Sequence, residues 1–188
     1  VLRDLNVDVV PTRVIPFFQP PADGVLGTRT LLRFLATIDY AGGRLVLARR
    51  RSTEPAGNAV RMWWYGDHFL MARGRVADSP EALYCIDTGL AGGGLMPSEA
   101  TIRAAHLDVG TTAGTGVNGA GQAVQVVPFS APSITLGAVT RTNIRGLWSP
   151  EGTPLKIFPF ACAGMISHLF FRPGTLTFDV DAMRLIVT

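Results

Sequence analysis

Two stretches of this 188-residue chain are versions of one another. Residues 24–47, GVLGTRTLLRFLATIDYAGGRLVL, align without a gap on residues 164–187, GMISHLFFRPGTLTFDVDAMRLIV. Gly24 meets Gly164, Thr37 meets Thr177, Asp39 meets Asp179 and Arg44 meets Arg184, and apolar positions match almost throughout. Upstream, the IPFF of residues 15–18 echoes the FPFA of residues 158–161 with a small slip. Each copy reads as a Gly-flanked buried strand, a short helical turn and a hairpin ending in RLVL or RLIV. Repetition implies a duplicated structural unit. Two copies are too few for a solenoid, so the pattern predicts two lobes related by an approximate two-fold.

The copies differ in what precedes them. The second has a long lead-in from about Phe69, which contains Asp87. The first has 23 residues before Gly24. This predicts the C-terminal half of a first lobe over 1–48, a linker over 49–67 and a complete second lobe over 68–188. The linker rests on RRRSTEPAGNAVR (49–61), which is polar and carries Gly and Pro. The aromatics of Met62-Trp63-Trp64-Tyr65 read as inter-lobe or core packing. Asp87 lies 77 residues before Gly164, so an equivalent first-lobe acid would fall before Val1. With a first residue other than Met, the expectation is a fragment or a processed piece.

Composition narrows the class. The chain is 47% hydrophobic and 16% charged, with 21 Gly and 13 Pro. That supports a real core cut by frequent turns, and so an all-β fold of short strands with one or two short helices per lobe. No apolar run approaches the roughly 18 residues of a membrane span. The opening VLRDLNVDVVPTR carries an acid and lacks a cleavable signal pattern. The formal charge is +3, but the only basic run is Ala48–Arg51, with no aromatic-interleaved basic stripe, which argues against a nucleic-acid partner. Cys85 and Cys162 are too few for a metal site, and His68, His106 and His168 are far apart. The cysteines read as buried free thiols, with a disulfide between them left open. No metal or cofactor is expected.

Within the second lobe, Phe69–Val76 and Ala82–Ile86 read as a hairpin turning at Ala77–Pro80. A short helix is expected within 96–107, with Ser98 as N-cap and Glu99 in its first turn. Residues 110–129 read as a glycine-rich hairpin leading into a strand. Residues 133–148 give two more strands, with a turn near Gly137.

The return strand ends on Asp87. A carboxylate at the end of a buried strand is costly unless it is hydrogen-bonded or has a task. Asp87-Thr88-Gly89 suits one. Gly89 lets the chain turn sharply and brings its N–H to the carboxylate, while the Thr88 hydroxyl can bridge to backbone or a neighbouring subunit. Two such turns face to face would share one proton, because like charges about 3 Å apart cannot both ionise. The ionised acid would activate a water, and the protonated one would polarise a peptide carbonyl.

Here the chain resembles the retropepsin-like aspartic proteases, of the bacterial type with two fused lobes. The resemblance covers the second lobe and the C-terminal half of the first. It is carried by YCIDTG (84–89), GTGVNGAGQ (114–122), ITLGAVTRTNI (134–144) and the twin endings. It implies small β-barrel lobes and a catalytic Asp87 supported by Thr88 and Gly89. It also implies a flap over the peptide containing Thr115, Gly116, Val117, Asn118 and Gly119. Val25-Leu26-Gly27 fits the apolar-apolar-Gly segment that packs beside the catalytic loop. There are two departures: Leu90 follows D-T-G where a small residue is usual, and Met165-Ile166-Ser167 carries Ser in place of Gly.

The implied activity is peptide-bond hydrolysis by an aspartic endopeptidase, with a peptide or protein substrate. No second D-T-G is present. Asp39 and Asp179 read as structural, Asp78 as a turn residue, and Asp108 follows the short helix. The partner acid would come from the first lobe's N-terminal half, as a missing segment or a separate chain, or from a homodimer mate. A non-catalytic protein of the same fold that binds a peptide or partner in its cleft is the alternative, and an unrelated β-barrel binding module is a third reading. Compartment is open, with an exported protein preferred because related bacterial proteins often carry signal sequences.

Overall fold

The structure is a computed structural model that describes residues 24–117, 122–151 and 154–188. Its elements run α1 (Thr28–Leu31), β1 (Leu35–Asp39), β2 (Arg44–Ala48), β3 (Asn58–Tyr65), β4 (Phe69–Val76), β5 (Ala82–Ile86), β6 (Leu95–Pro97) and α2 (Glu99–Ala104). They continue with β7 (Gly114–Val117), β8 (Ala123–Leu136), β9 (Val139–Trp148), a 3-10 turn (Pro154–Ile157), β10 (Gly164–Ile166), α3 (His168–Phe171), β11 (Thr175–Asp179) and β12 (Arg184–Val187). The fold is all-β with a few short helices. α2 begins where Ser98 accepts the Thr101 N–H at 3.1 Å, satisfying one of the donors a helix start leaves open.

The two repeat copies pair with each other. β1 and β11 run antiparallel, with Thr37 opposite Thr177, Ala36 opposite Phe178 and Ile38 opposite Leu176. Exchanging the copies maps this register onto itself, so a local two-fold passes between Thr37 and Thr177. Their hydroxyls meet at 2.7 Å. Each hairpin is closed by the same device. Asp39 accepts the Gly42 N–H at 2.7 Å and Arg44 Nη2 at 2.7 Å. Asp179 accepts the Ala182 N–H at 3.1 Å and Arg184 Nε at 2.9 Å. The Arg44 and Gly42 bonds hold the Asp39 carboxyl below its usual range. Burial alone would raise Asp179, but the Ala182 N–H and Arg184 outweigh it and leave it lowered. Both acids are hairpin struts.

Among the described residues the sheet order is β2-β1-β11-β12-β3-β4-β5-β10-β6-β9-β8-β7, with β4 also pairing β8. Strand alternation sorts its side chains onto two faces. One row across β3, β4, β5, β10 and β6 is Trp64, Leu70, Ile86, Ile166 and Leu95, and it joins the main core. The neighbouring row is Trp63, Met71, Cys85, Met165 and Met96. It points the other way and forms a satellite cluster with Leu155, Phe158 and Cys162. β3 lies inside the stretch that composition reads as a linker. Val60 and Met62 are buried while Arg61 is exposed, and the strand bonds β12 along one part and β4 along the other.

The copies are unequally covered. Leu26 is 48% exposed whereas its counterpart Ile166 is fully buried, and Leu45 is 44% exposed whereas Leu185 is fully buried. Ile166 is flanked by β5 and β6, and Leu185 by β3. Among the described residues, no strand pairs with the outer edge of β2.

Candidate active site

β5 and β10 lie side by side and parallel, with Ile86 opposite Ile166. Asp87 continues this pairing by one step, its N–H donating to the Ile166 carbonyl at 3.0 Å. The chain then turns. Asp87 Oδ1 accepts the Gly89 N–H at 2.9 Å, and the Leu90 N–H reaches the Asp87 carbonyl at 3.3 Å. An Asp bonding the backbone two residues on is an Asx turn. A Cβ on Gly89 would sit 3.3 Å from Asp87 Oδ1, so glycine leaves the carboxylate its place. Asp87 and Thr88 are half-buried and Gly89 is exposed. The turn therefore holds an acid at a buried strand end with one oxygen fixed.

The glycines that follow fit against β9 and α3. Gly92 has φ of +82°, in the left-handed region that glycine favours. A Cβ on Gly94 would collide with Ile144 Cγ2 and lie 3.1 Å from Leu169 Cβ, while the Gly94 N–H donates to the Arg145 carbonyl at 2.6 Å. Ser167, fully buried, bonds back onto the same segment. Its N–H donates to the Gly94 carbonyl at 3.0 Å and its hydroxyl to the Gly93 carbonyl at 2.5 Å. Leu90 packs against the satellite cluster of Met71, Cys85 and Phe158. Leu90 is thus held by packing and Ser167 by hydrogen bonds.

The structure thus brings Asp87, Thr88 and Gly89 into one turn. Thr115, Gly116 and Val117 lie in β7, an edge strand paired with β8. Asn118 and Gly119 lie outside the described residues. Most other carboxylates already have cationic partners. Asp39 and Asp179 serve the hairpins, Asp67 meets Arg29, Asp181 meets Arg50, Glu54 meets Arg184, Glu81 meets Arg73 and Glu99 meets Arg103. Asp78 and Asp108 are exposed. Among the described residues, no cluster of three or more His, Cys, Asp or Glu is arranged to hold a metal ion. Cys85 and Cys162 are free and buried, and burial pushes the Cys85 thiol up to about 12.

His168 and its aromatic contact Tyr40 escaped the sequence reading. His168 opens α3 directly after Ser167, so β10 carries it to the Asp87 end of the sheet. Tyr40 reaches it from the end of β1, with ring centroids 6.5 Å apart. The one available signal was that His168 and Tyr40 occupy repeat positions whose counterparts, Thr28 and Val180, differ in chemistry.

No family model matches the chain, and no curated protein matches it. Among solved structures, it is similar to a retropepsin-like aspartic protease from Rickettsia conorii. The identity is 14% and the TM-score 0.47, over 72% of this chain and 92% of that one.

Proposed function

We propose that this chain belongs to an aspartic endopeptidase in which Asp87 is one of two carboxylates that activate water on a peptide bond. The observation that carries the reading is the Asp87 turn. Its carboxylate is fixed by the Gly89 N–H, and its backbone is tied to Ile166 at the end of a buried strand. Fixing one oxygen leaves the other for a water or a second carboxylate. An acid pair sharing a proton supplies both a general base and a hydrogen-bond donor to the substrate carbonyl.

The second acid comes from outside the described residues. Unequal burial of the repeat copies supports this, because the open apolar positions of the first copy are those that β3, β5 and β6 cover in the second. Its source is an N-terminal half of the first lobe, as a further segment or a separate chain, or else a second copy of this chain. The β7–β8 hairpin, with Thr115–Gly119, is the proposed cover over a bound peptide. The reading requires no cofactor.

The test is hydrolysis of a quenched peptide library at pH 3–6 by the chain, alone at high concentration and together with any segment encoded ahead of it. The expected result is cleavage that Asp87→Asn abolishes. Peptide binding without turnover, unaffected by that substitution, would favour a non-catalytic cleft binder.

A further inference from the structure

We propose that the outer edge of β2 takes on an antiparallel strand from the polypeptide that completes the first lobe, in the register β3 adopts on β12, and that this strand brings a carboxylate to Arg44. The inference deepens the proposed function and rests on it for the source of the strand.

The second copy shows how such an edge is covered. β12 is bonded on one side by β11 and on the other by β3, with Leu185 opposite Val60, Ile186 opposite Ala59 and Val187 opposite Asn58. The chain leading into β3 closes over the same strand, since a Cβ on Gly57 would fall 2.7 Å from Ile186 Cγ2. Leu185 and Ile186 are buried as a result. β2 repeats β12, with Arg44-Leu45-Val46-Leu47 for Arg184-Leu185-Ile186-Val187, and it bonds β1 in the register that β12 takes on β11. Its other edge has no strand among the described residues, and Leu45 and Val46 are 44% and 46% exposed. An edge of this kind presents a row of open N–H and C=O groups to a pairing strand.

Charge narrows the occupant. Arg184 is held by two carboxylates, Asp179 of its own hairpin at 2.9 Å and Glu54 from the stretch before β3, and its side chain is 34% exposed. Arg44 holds the matching hairpin acid, Asp39, at 2.7 Å. Among the described residues no second carboxylate pairs with it, and its side chain is 71% exposed. The covering strand therefore comes with an acid in its lead-in. A second copy of β2 is a poor fit. Antiparallel pairing centred on Val46 would set Arg44 of each chain against Ala48 of the other, beside the run Arg49–Arg51, and residues 44–51 carry no acid. Like charges brought together across a strand pair are destabilising. β3, by contrast, leads through β4 into β5, the strand that ends on Asp87. A strand in the matching place on β2 heads the half-lobe that the proposed function requires.

The probe is a peptide of this chain's own residues 52–62, STEPAGNAVRM, which contains Glu54 and the part of β3 that pairs with β12. It is titrated to millimolar concentration into the intact, isotope-labelled chain and followed by amide NMR and hydrogen exchange. The expected result is saturable binding, with shifted and newly protected amides at 44–48. Glu54→Gln in the peptide, or Arg44→Gln in the chain, should each weaken binding about two- to five-fold, the scale of a partly exposed ion pair, and both together should cost no more than one. The peptide change alone decides if Arg44→Gln fails to fold. No binding, shifts away from 44–48, or an affinity indifferent to the Gln substitutions would overturn the proposal. So would a chain that already protects 44–48 by pairing with its own copy, seen as a dimer in sedimentation. Strand binding in a chain that cleaves nothing would keep this inference and remove the peptidase reading. Cleavage that depends on Asp87, with a β2 edge that takes no peptide, would do the reverse.

Discussion

Ser167→Ala is the sharpest probe of how the candidate site is held. The Ser167 backbone, with φ of −110°, is open to any residue, so alanine adds no strain. What it removes is a hydroxyl, fully buried, that donates to the Gly93 carbonyl at 2.5 Å. Leaving a buried carbonyl without its donor costs about 1–3 kcal/mol. The same oxygen accepts the Leu169 N–H, but at 3.5 Å this helix cap lies at the low end of its range, about 0.5 kcal/mol. The sum is about 2 kcal/mol. For a chain of this size, that lowers Tm by about 4–8 °C. Ser167→Gly loses the same bonds and adds about 0.5–1 kcal/mol of unfolded-chain freedom, so it should melt below the alanine variant. Thermal melts and urea midpoints by circular dichroism at neutral pH give the order. If alanine melts with the parent, the hydroxyl does not hold the glycine segment. If glycine melts above the parent, the Gly-like pattern is the better fit and the argument fails.

Other consequences are equally direct. Thr37→Val or Thr177→Val alone should cost about 1 kcal/mol by orphaning the other hydroxyl, while the double variant should lie near the parent, so additive losses in urea would refute the two-fold contact. The lowered carboxyls of Asp39 and Asp179 contribute stability that is present above the ordinary value of 3.8 and lost as pH falls through their folded-state values. Asp39→Asn with Asp179→Asn should therefore flatten the acid limb of a stability–pH curve, and an unchanged limb would place the dependence elsewhere. Cys85, pushed up to about 12 by burial, should react with a maleimide at pH 8 only as fast as the chain opens, and prompt labelling in the folded state would contradict its position.

The hairpin of β4 and β5 was legible because alternation and turn residues agreed along its length, and both strands have the expected bounds. Ser98 was legible as a cap because capping is local chemistry. β3 was hidden because its leading residues are polar and Gly/Pro-bearing, and its strand character depends on β12 and β4 arriving on either side. The Asp87 turn could be read from D-T-G, but its surroundings could not. His168 lies 81 residues from Asp87, and only the parallel pairing of β5 with β10 brings it to the same end of the sheet. Tyr40 arrives from the other repeat copy, through strand pairing that no local pattern encodes.

Leu90, the glycines of 91–94 and Ser167 form one coupled arrangement in this structure. Leu90 packs toward the satellite cluster of Met71, Cys85 and Phe158. Residues 91–94 then lead the chain into β6. That return path runs between Ile144 of β9 and Leu169 of α3, where Gly94 has no room for a side chain. The Gly93 carbonyl then faces the segment after β10, and Ser167 offers the donor that glycine would lack. Each of these features relieves the cost of another, so substituting them together should be non-additive. Leu90→Ala alone vacates part of a packed cluster, at about 1–2 kcal/mol for a half-buried leucine. Ser167→Gly alone orphans a carbonyl. Combining Leu90→Ala and Ser167→Gly while shortening 91–94 to a plain turn should recover much of both losses. If the combined variant loses the sum of the separate effects, the features are independent and the glycine run has some other cause.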